Sequence, residues 1–366
     1  MIITKIETFP LRIPFKPDTQ AAASAWGDKG LPVADSLLVK VTTDQGLEGW
    51  GEAFGFRAVR SAKLAIEELI APLCIGKDAT QIASLMLEVQ KKLHIFGRAG
   101  PLFYGISAVD IALWDIAGKA ANAPVSRLLG GGVADLGCYA SLIRYSDPSL
   151  VRANVRRSLD AGFCSLKLHE IELPAIRAAR DEAGPDVELT LDVNCAWTLY
   201  EARERAEELK EFHLKWLEEP TWPPENYDGL AQLRKTCGIP IAAGENVSTL
   251  MDFERIMAAG AVDFIQPSVA KMGGISVLCT VFPIAAVRNV TVVPHVFYDG
   301  PGLLAAIHVT AALATADAMV EWRRFDLEAQ LYGDALSPEG GRILVPQSPG
   351  LGIEPDPNVI RDYLSV

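Results

Sequence analysis

Hydrophobic positions recur along this chain with two different periods, and the layout changes near residue 136. The N-terminal stretch MIITKIETFPLRIPF alternates apolar and polar residues, the two-residue period of a strand. ADSLLVKVTTDQGLEGWGEAF, residues 34–54, reads as two antiparallel strands joined at the DQG turn. Apolar spacing of three and four follows in AVRSAKLAIEELIAPLC, TQIASLMLEVQKKL and GISAVDIALWDIAGKAA, the spacing of helices. Residues 1–125 are therefore expected to form an α+β domain.

Beyond it, short apolar runs alternate with helical patterns at an even interval. The runs are GCYASL (137–142), CSLKLH (164–169), ELTLDV (188–193), LKWLE (214–218), PIAAGE (240–245), VDFIQP (262–267), VTVVPH (290–295) and AMVEW (318–322). Between them lie segments such as LVRANVRRSLDAGF, EARERAEELKEF and STLMDFERIMAAG, with helical spacing and, in two of them, a glycine at the end. Eight such repeats are the pattern of a closed parallel barrel, here over residues 126–322. A doubly wound open sheet would need a Gly-rich loop after its first strand, but GGG at 130–132 precedes that strand. The tail, 323–366, holds short β-like pieces and Pro/Gly turns, too little for a domain, and is expected to pack back on the N-terminal part.

Composition narrows the class. Of 366 residues, 49% are hydrophobic and 22% charged, a soluble globular profile with a large core. The net charge of −12 argues against nucleic acid and anionic membrane as partners, since both require basic surfaces. An anionic substrate would have to be attracted by a local site. The N-terminus lacks the continuous apolar core of a signal peptide, and no run of about 18 apolar residues occurs. The six cysteines are scattered without a C-x-x-C, so a reduced, cytoplasmic location is expected.

Three of the expected strands end in an acid: Asp192 in LTLDVN, Glu218 in KWLEEP and Glu245 in AAGEN. They are 26 and 27 residues apart, about one strand–helix unit each. Successive parallel strands would set them side by side at the C-terminal mouth of a barrel, where sites of this architecture lie. Three partly buried carboxylates repel unless a cation sits between them, and a hard divalent ion, Mg²⁺ first, suits all-oxygen ligands. Glu219, adjacent to Glu218, should point the other way in a structural role.

Groups able to move protons flank these acids. Lys167 and His169, in SLKLHE, share a strand face just before the first acid. Lys271 in QPSVAKMGG, His295 in VVPHVF and Glu321 in MVEW follow the third. Asn194, Trp26, Arg57 and Tyr298 are candidate substrate contacts. Trp26 lies in the stretch 15–31 and Arg57 in AFGFRAVR, expected cap loops over the barrel mouth.

In order and spacing, LTLDVN, WLEEP, AAGEN, PHVF and MVEW resemble the motifs of the enolase superfamily, within it the mandelate racemase branch. The resemblance covers nearly the whole chain. It implies a modified (β/α)7β barrel of the TIM type, with an N-terminal α+β capping domain completed by the C-terminal tail. It also implies one Mg²⁺ on Asp192, Glu218 and Glu245, a small-molecule carboxylate substrate and a homo-oligomer. The implied chemistry is removal of the proton alpha to the carboxylate, giving an enediolate, with a Lys or His base working beside Mg²⁺. SLKLHE stands where the family has Lys-x-Lys, so Lys167 would bind the carboxylate and His169 would be the base. Lys271 matches the opposite-face lysine of the muconate-lactonizing branch and rivals it. In IQPSVAK, Ser268 stands where an aspartate usually orients the histidine, so His295 is expected to lose that partner. Dehydration of a hydroxy acid, most simply a sugar acid, is the leading expectation. Racemisation, epimerisation and lactone cycloisomerisation are alternatives, and a non-catalytic metal-binding protein is a further one.

Overall fold

The alternating N-terminal stretch forms β1 (Ile3–Pro14), and the DQG segment joins β2 (Val33–Thr43) to β3 (Glu48–Ala53). A computed structural model describes residues 1–15, 33–314, 319–324 and 326–365. The three strands pair antiparallel in the order β1-β2-β3. Against them lies a 20-residue helix, Pro101–Ala120, whose Val109, Ala112, Leu113 and Ile116 pack on Leu37, Val39 and Val41. The approach is close because β3 reads EGWGEA. A Cβ on Gly51 would lie 1.8 Å from the Ala108 carbonyl oxygen, and one on Gly49 2.1 Å from that of Ala112. Only glycine leaves room for the helix there.

The second sheet holds β4 (Asp135–Ser141), β5 (Ser165–Leu168), β6 (Glu188–Asp192), β7 (Trp216–Glu218), β8 (Ile241–Ala243), β9 (Phe264–Ile265), β10 (Thr291–Val292) and β11 (Met319–Arg323). These run parallel in the order β10-β9-β8-β7-β6-β5-β4-β11, with β12 (Arg342–Leu344) antiparallel on β4. The sheet curls. Tyr139, Trp216, Ala242 and Val293 meet in its interior, with Phe264 and Met319 packed against them. Alternate residues, Leu166, Leu168, Leu189, Leu191 and Leu217, face the surrounding helices. Among the described residues no backbone ladder joins β10 to β11. Val296 N–H spans that seam instead, donating to Glu321 Oε2 at 2.9 Å.

The hydrogen-bonded strands are shorter than the apolar runs. β8 stops at Ala243 and β10 at Val292, so Glu245 and His295 stand beyond the ladder, on the loops that follow. The tail also does more than return to the N-terminal domain. After β12 pairs with β4, Leu351 N–H donates to Asp115 Oδ1 at 2.7 Å, and Leu364 bridges Leu11. No helix among the described residues is long and apolar enough to cross a membrane.

Buried acids of the N-terminal domain dock it onto barrel helices. Asp110 accepts from Ser276 N at 3.0 Å and Ser276 Oγ at 2.5 Å, at the start of the helix Gly274–Val287. Glu52 accepts from Gly300 N and Gly302 N, both at 3.0 Å, at the start of the helix Pro301–Leu313. Each carboxylate satisfies otherwise orphaned helix N–H groups and lies at the positive end of the helix dipole.

His308, on the helix Pro301–Leu313, is fully buried between a donor and an acceptor. Ser126 N–H reaches its Nδ1 at 3.2 Å, and its Nε2 lies 3.0 Å from the Leu351 carbonyl. Only the neutral ring protonated on Nε2 fits both partners. Burial lowers its pKa from 6.5 to about 4. The unfolded chain therefore binds a proton between about pH 6.5 and 4 that the fold refuses, so this stabilisation is complete above about 6.5 and is lost as pH falls. It is worth about 3 kcal/mol. Asp110, pushed up to about 7 by burial, acts in the opposite sense over this range, so a variant is needed to isolate His308. His308→Gln, which keeps one donor and one acceptor, should lose about 3 kcal/mol less between pH 6.5 and 4 than the wild type in urea unfolding. Equal losses in the two proteins would remove this assignment.

Candidate active site

The two-residue strand period aims the site residues. Tyr139, Trp216 and Met319 are interior, so Glu218, two residues after Trp216, and Glu321, two after Met319, point inward as well. The same parity on β5 and β6 brings in Lys167 and Asp192, both fully buried. Glu245 breaks the pattern. Ala242 is interior, so position 245 would face the helices in a continuing strand. Gly244 adopts φ +133°, and a Cβ there would lie 2.9 Å from Gln266 N. That turn, open to glycine alone, directs Glu245 inward.

Asp192, Glu218 and Glu245 each offer a carboxylate oxygen within 4.8 Å of the others, and all three residues are buried. Lys167 is the cation of Asp192, Glu218 and the nearby Glu321: Nζ lies 2.5 Å from Glu218 Oε1, 3.0 Å from Asp192 Oδ2 and 3.4 Å from Glu321 Oε1. Burial opposes the charge on Lys167, but these carboxylates outweigh it and hold its pKa well above the usual value. Burial likewise opposes ionisation of Asp192, and Lys167 overcomes it, holding that carboxyl far below its ordinary range. Glu218 is pushed the other way by burial, with the Asp192 and Glu321 charges adding to it against Lys167. One ammonium shared by Asp192, Glu218 and Glu321 cannot balance three acids. Asp192 Oδ2 and Glu321 Oε1, both buried, face the Lys167 ammonium at 3.0 and 3.4 Å without a well-aligned hydrogen bond. The all-oxygen donor set, short of positive charge, fits a hard divalent cation.

Proton-handling groups stand at both ends of the triad. His169 Nε2 lies 3.4 Å from Asp192 Oδ2, while its Nδ1 contacts the Leu142 carbonyl. A carbonyl only accepts, so Nδ1 carries the hydrogen and Nε2 faces the acids. At the other end His295 Nε2 lies 2.8 Å from Glu245 Oε2, and Lys271 Nζ 3.8 Å from Glu245 Oε1. Burial raises the pKa of Glu245, but His295 and Lys271 prevail and bring it down to about 2. Lys271 also meets Asn246 Oδ1 at 3.3 Å and sits 4.9 Å over the Phe54 ring of the N-terminal domain.

The residues expected to contact substrate stand in different settings. Tyr298 is buried, its hydroxyl taken up by Ser268 Oγ at 3.3 Å and the His295 carbonyl at 3.1 Å. Ser268 Oγ is in turn 3.3 Å from His295 Nδ1, so His295 keeps an orienting partner, a hydroxyl in place of an acid. Among the described residues no carboxylate stands behind this ring, only the serine hydroxyl. Arg57 is exposed at φ +57°, and Asn194, at φ +49°, donates its backbone N–H to Asp192 Oδ1 at 2.8 Å. Trp26, with residues 16–32, lies outside the described residues. Glu219 is buried, accepts from Asn246 Nδ2 at 2.6 Å and Cys195 Sγ at 3.2 Å, and burial lifts its pKa to about 7.

Sequence reasoning missed Asn246, Trp216 and Arg144. Trp216 Nε1 donates to Glu218 Oε2 at 3.0 Å, and Arg144 Nε to the His169 carbonyl at 2.5 Å. Strand parity could have found Trp216, two residues before an inward acid. Adjacency in AAGEN could have raised Asn246. Nothing local marks Arg144.

Comparison with known proteins agrees with this geometry. Residues 150–359 match the family of enolase C-terminal domain-like proteins, and residues 30–130 the mandelate racemase / muconate lactonizing enzyme N-terminal domain. Arabinonate dehydratase of Saccharolobus solfataricus is 30% identical, over 89% of this chain and 90% of its own length. D-galactarolactone cycloisomerase of Agrobacterium fabrum is 31% identical over the same shares. The crystal structure of 3,6-anhydro-D-galactonate cycloisomerase from Zobellia galactanivorans superposes with a TM-score of 0.87 at 31% identity, covering 100% of both chains.

Glu245→Gln keeps the shape of the side chain and removes its charge. It should weaken Mg²⁺ binding by about a hundredfold or more in calorimetric titration, beyond what loss of a supporting group costs. Undiminished binding would remove the triad as the metal site.

Proposed function

Because the chain belongs to the mandelate racemase and muconate lactonizing branch of the enolase superfamily, we propose that it removes the proton alpha to a substrate carboxylate and dehydrates a hydroxy acid of the sugar-acid class. One observation carries this reading. Two histidines face the acid triad from opposite ends, His169 at Asp192 and His295 at Glu245, each through Nε2. Dehydration needs two such groups, one to take a proton and one to give one.

Asp192, Glu218 and Glu245 would hold the cation, Mg²⁺ being the first choice, and its charge would favour the second negative charge that develops on the substrate carboxylate. Lys167, fixed among these acids, supplies further positive charge where that carboxylate binds. His169 Nε2 takes the α-proton, and the C–H electron pair passes into an enediolate. His295 gives a proton to the β-hydroxyl, the C–O bond breaks, water leaves, and the resulting enol tautomerises to a 2-oxo acid. The low exposure of both histidines and of Lys271 limits bulk water around these transfers.

Cycloisomerisation is the second reading. Lys271 stands beside His295 at the same carboxylate, which places a second base on that face. Two of the similar proteins are named cycloisomerases. The sequence expectations of a homo-oligomer and a cytoplasmic location go with either reading.

A panel of aldonic, aldaric and lactone substrates with Mg²⁺ in deuterated water separates these readings. A 2-oxo product supports dehydration, a ring-opened or ring-closed isomer supports the second reading, and neither turnover nor α-deuteration sinks both. His169→Ala should lower α-deuteration about a hundredfold to ten-thousandfold. His295→Asn should abolish dehydration and retain exchange. Near-normal exchange in His169→Ala together with its loss in Lys271→Ala would transfer the base role to the lysine.

A further inference from the structure

The loop that follows β4 is clamped onto the end of β5. Leu142 N–H donates to the Lys167 carbonyl at 2.9 Å, and the Leu142 carbonyl meets His169 Nδ1. Tyr145 N–H and Ser146 N–H donate to the Glu170 carboxylate at 2.7 and 3.0 Å. Between these anchors Arg144 Nε donates to the His169 carbonyl at 2.5 Å. That bond holds the guanidinium in place and uses one of its five N–H groups. The terminal nitrogens are left over. Nη2 is buried, and neither Nη1 nor Nη2 has a hydrogen-bond partner among the described residues.

Other cations of the mouth are already matched. Lys167, Lys271 and Arg323 each lie against a carboxylate, that of Asp192, Glu245 and Asp299 respectively. Arg144 forms no ion pair among the described residues, although Glu170 and Asp192 are near enough to favour its charge against the burial that opposes it. A guanidinium stays protonated in any case, so its buried, unpaired N–H carries a desolvation cost that an oxygen from outside the protein relieves. A water answers one N–H. A carboxylate answers the parallel pair on the Nη edge and the charge as well. We infer that Arg144 is a specificity-determining residue that binds a second carboxylate, at the far end of the substrate from the one near Lys167, so that the site takes aldaric acids in preference to aldonic acids. The inference rests on the sugar-acid reading given above and names the kind of sugar acid. The net charge of −12 repels a dianion, so its second carboxylate needs a local cation of its own. Arg144 also holds the backbone of His169, which ties recognition of the far carboxylate to the residue assigned the α-proton.

Binding is measured apart from turnover. The Mg²⁺-loaded protein is titrated calorimetrically with pentaric and hexaric acids, each beside the aldonic acid of the same configuration. The best-bound aldaric acid should bind about tenfold or more tighter than its aldonic counterpart, the worth of a hydrogen bond between charged groups. In Arg144→Gln that preference should vanish. A purely structural loss, acting through the His169 carbonyl, weakens both acids alike and leaves their ratio unchanged. If Arg144→Gln does not fold, Arg144→Lys, which keeps the charge without the fork, should lose most of the preference. No aldaric preference in the wild type, a preference that survives in the folded variant, or binding of neither class of acid would each overturn the inference. Aldaric acids that bind as expected but are neither dehydrated nor α-deuterated count against the proposed reaction and leave this assignment standing. Dehydration of an aldonic acid without any aldaric preference does the reverse.

Discussion

The interior of the barrel mouth is organised by an imbalance of charge. Asp192, Glu218, Glu245 and Glu321 are all buried, and Lys167 is the cation in contact with three of them. Each ion removed from water costs several kcal/mol unless neighbours compensate, and Lys167, with Lys271 3.8 Å from Glu245, still leaves four buried acids short of positive charge. That deficit is what makes the cluster a cation site and not merely a structural salt bridge. Trp216 donates to Glu218 from the layer below and a backbone N–H serves Glu321, so neutral donors supplement the cations at these acids.

Such a cluster needs a rigid frame, and the N-terminal domain contributes to it through acids of its own. Asp110 and Glu52 each reach across to the start of a barrel helix, while Asp115 accepts from Trp50 N at 2.9 Å and Leu351 N at 2.7 Å. The Asp110 and Glu52 carboxylates answer N–H groups that no helix can satisfy internally, and Asp115 ties β3 to the tail. They fix the domain at the mouth, so that Phe54 lies under the Lys271 ammonium and the loop carrying Tyr298 is held from both sides. The frame and the site are therefore coupled by hydrogen bonds, not by apolar packing alone.

The two ends of the triad are built differently. His169 is oriented by a backbone carbonyl and His295 by a serine hydroxyl, both neutral, and Lys271 by the amide of Asn246. Neutral partners orient a base without tying it up as an ion pair on its far side. The negative groups facing these bases are the acids of the triad itself, whose charge a bound cation would share. Unlike groups on the two faces suit a reaction in which one proton leaves the substrate and another arrives elsewhere.

Much of this was legible along the chain because it depends on periods of two and on repeat lengths. Parity along β5, β6, β7 and β11 places Lys167, Asp192, Glu218 and Glu321 on the interior face, and the spacing of the strand–helix units sets the acids on adjacent strands. The direction of Glu245 was not legible from parity, because the strand ends early and Gly244 turns the chain. The mutual hydrogen bonds of Ser268, Tyr298 and His295 were not legible, because they form a triangle closed only by folding. The same holds for Glu52 and Gly300, 248 residues apart. Local chemistry and periodicity determine which face a side chain occupies and what it can donate or accept. Which partner it meets is decided by tertiary packing, since that depends on loop ends and helix starts from distant parts of the chain coming within about 3 Å of each other.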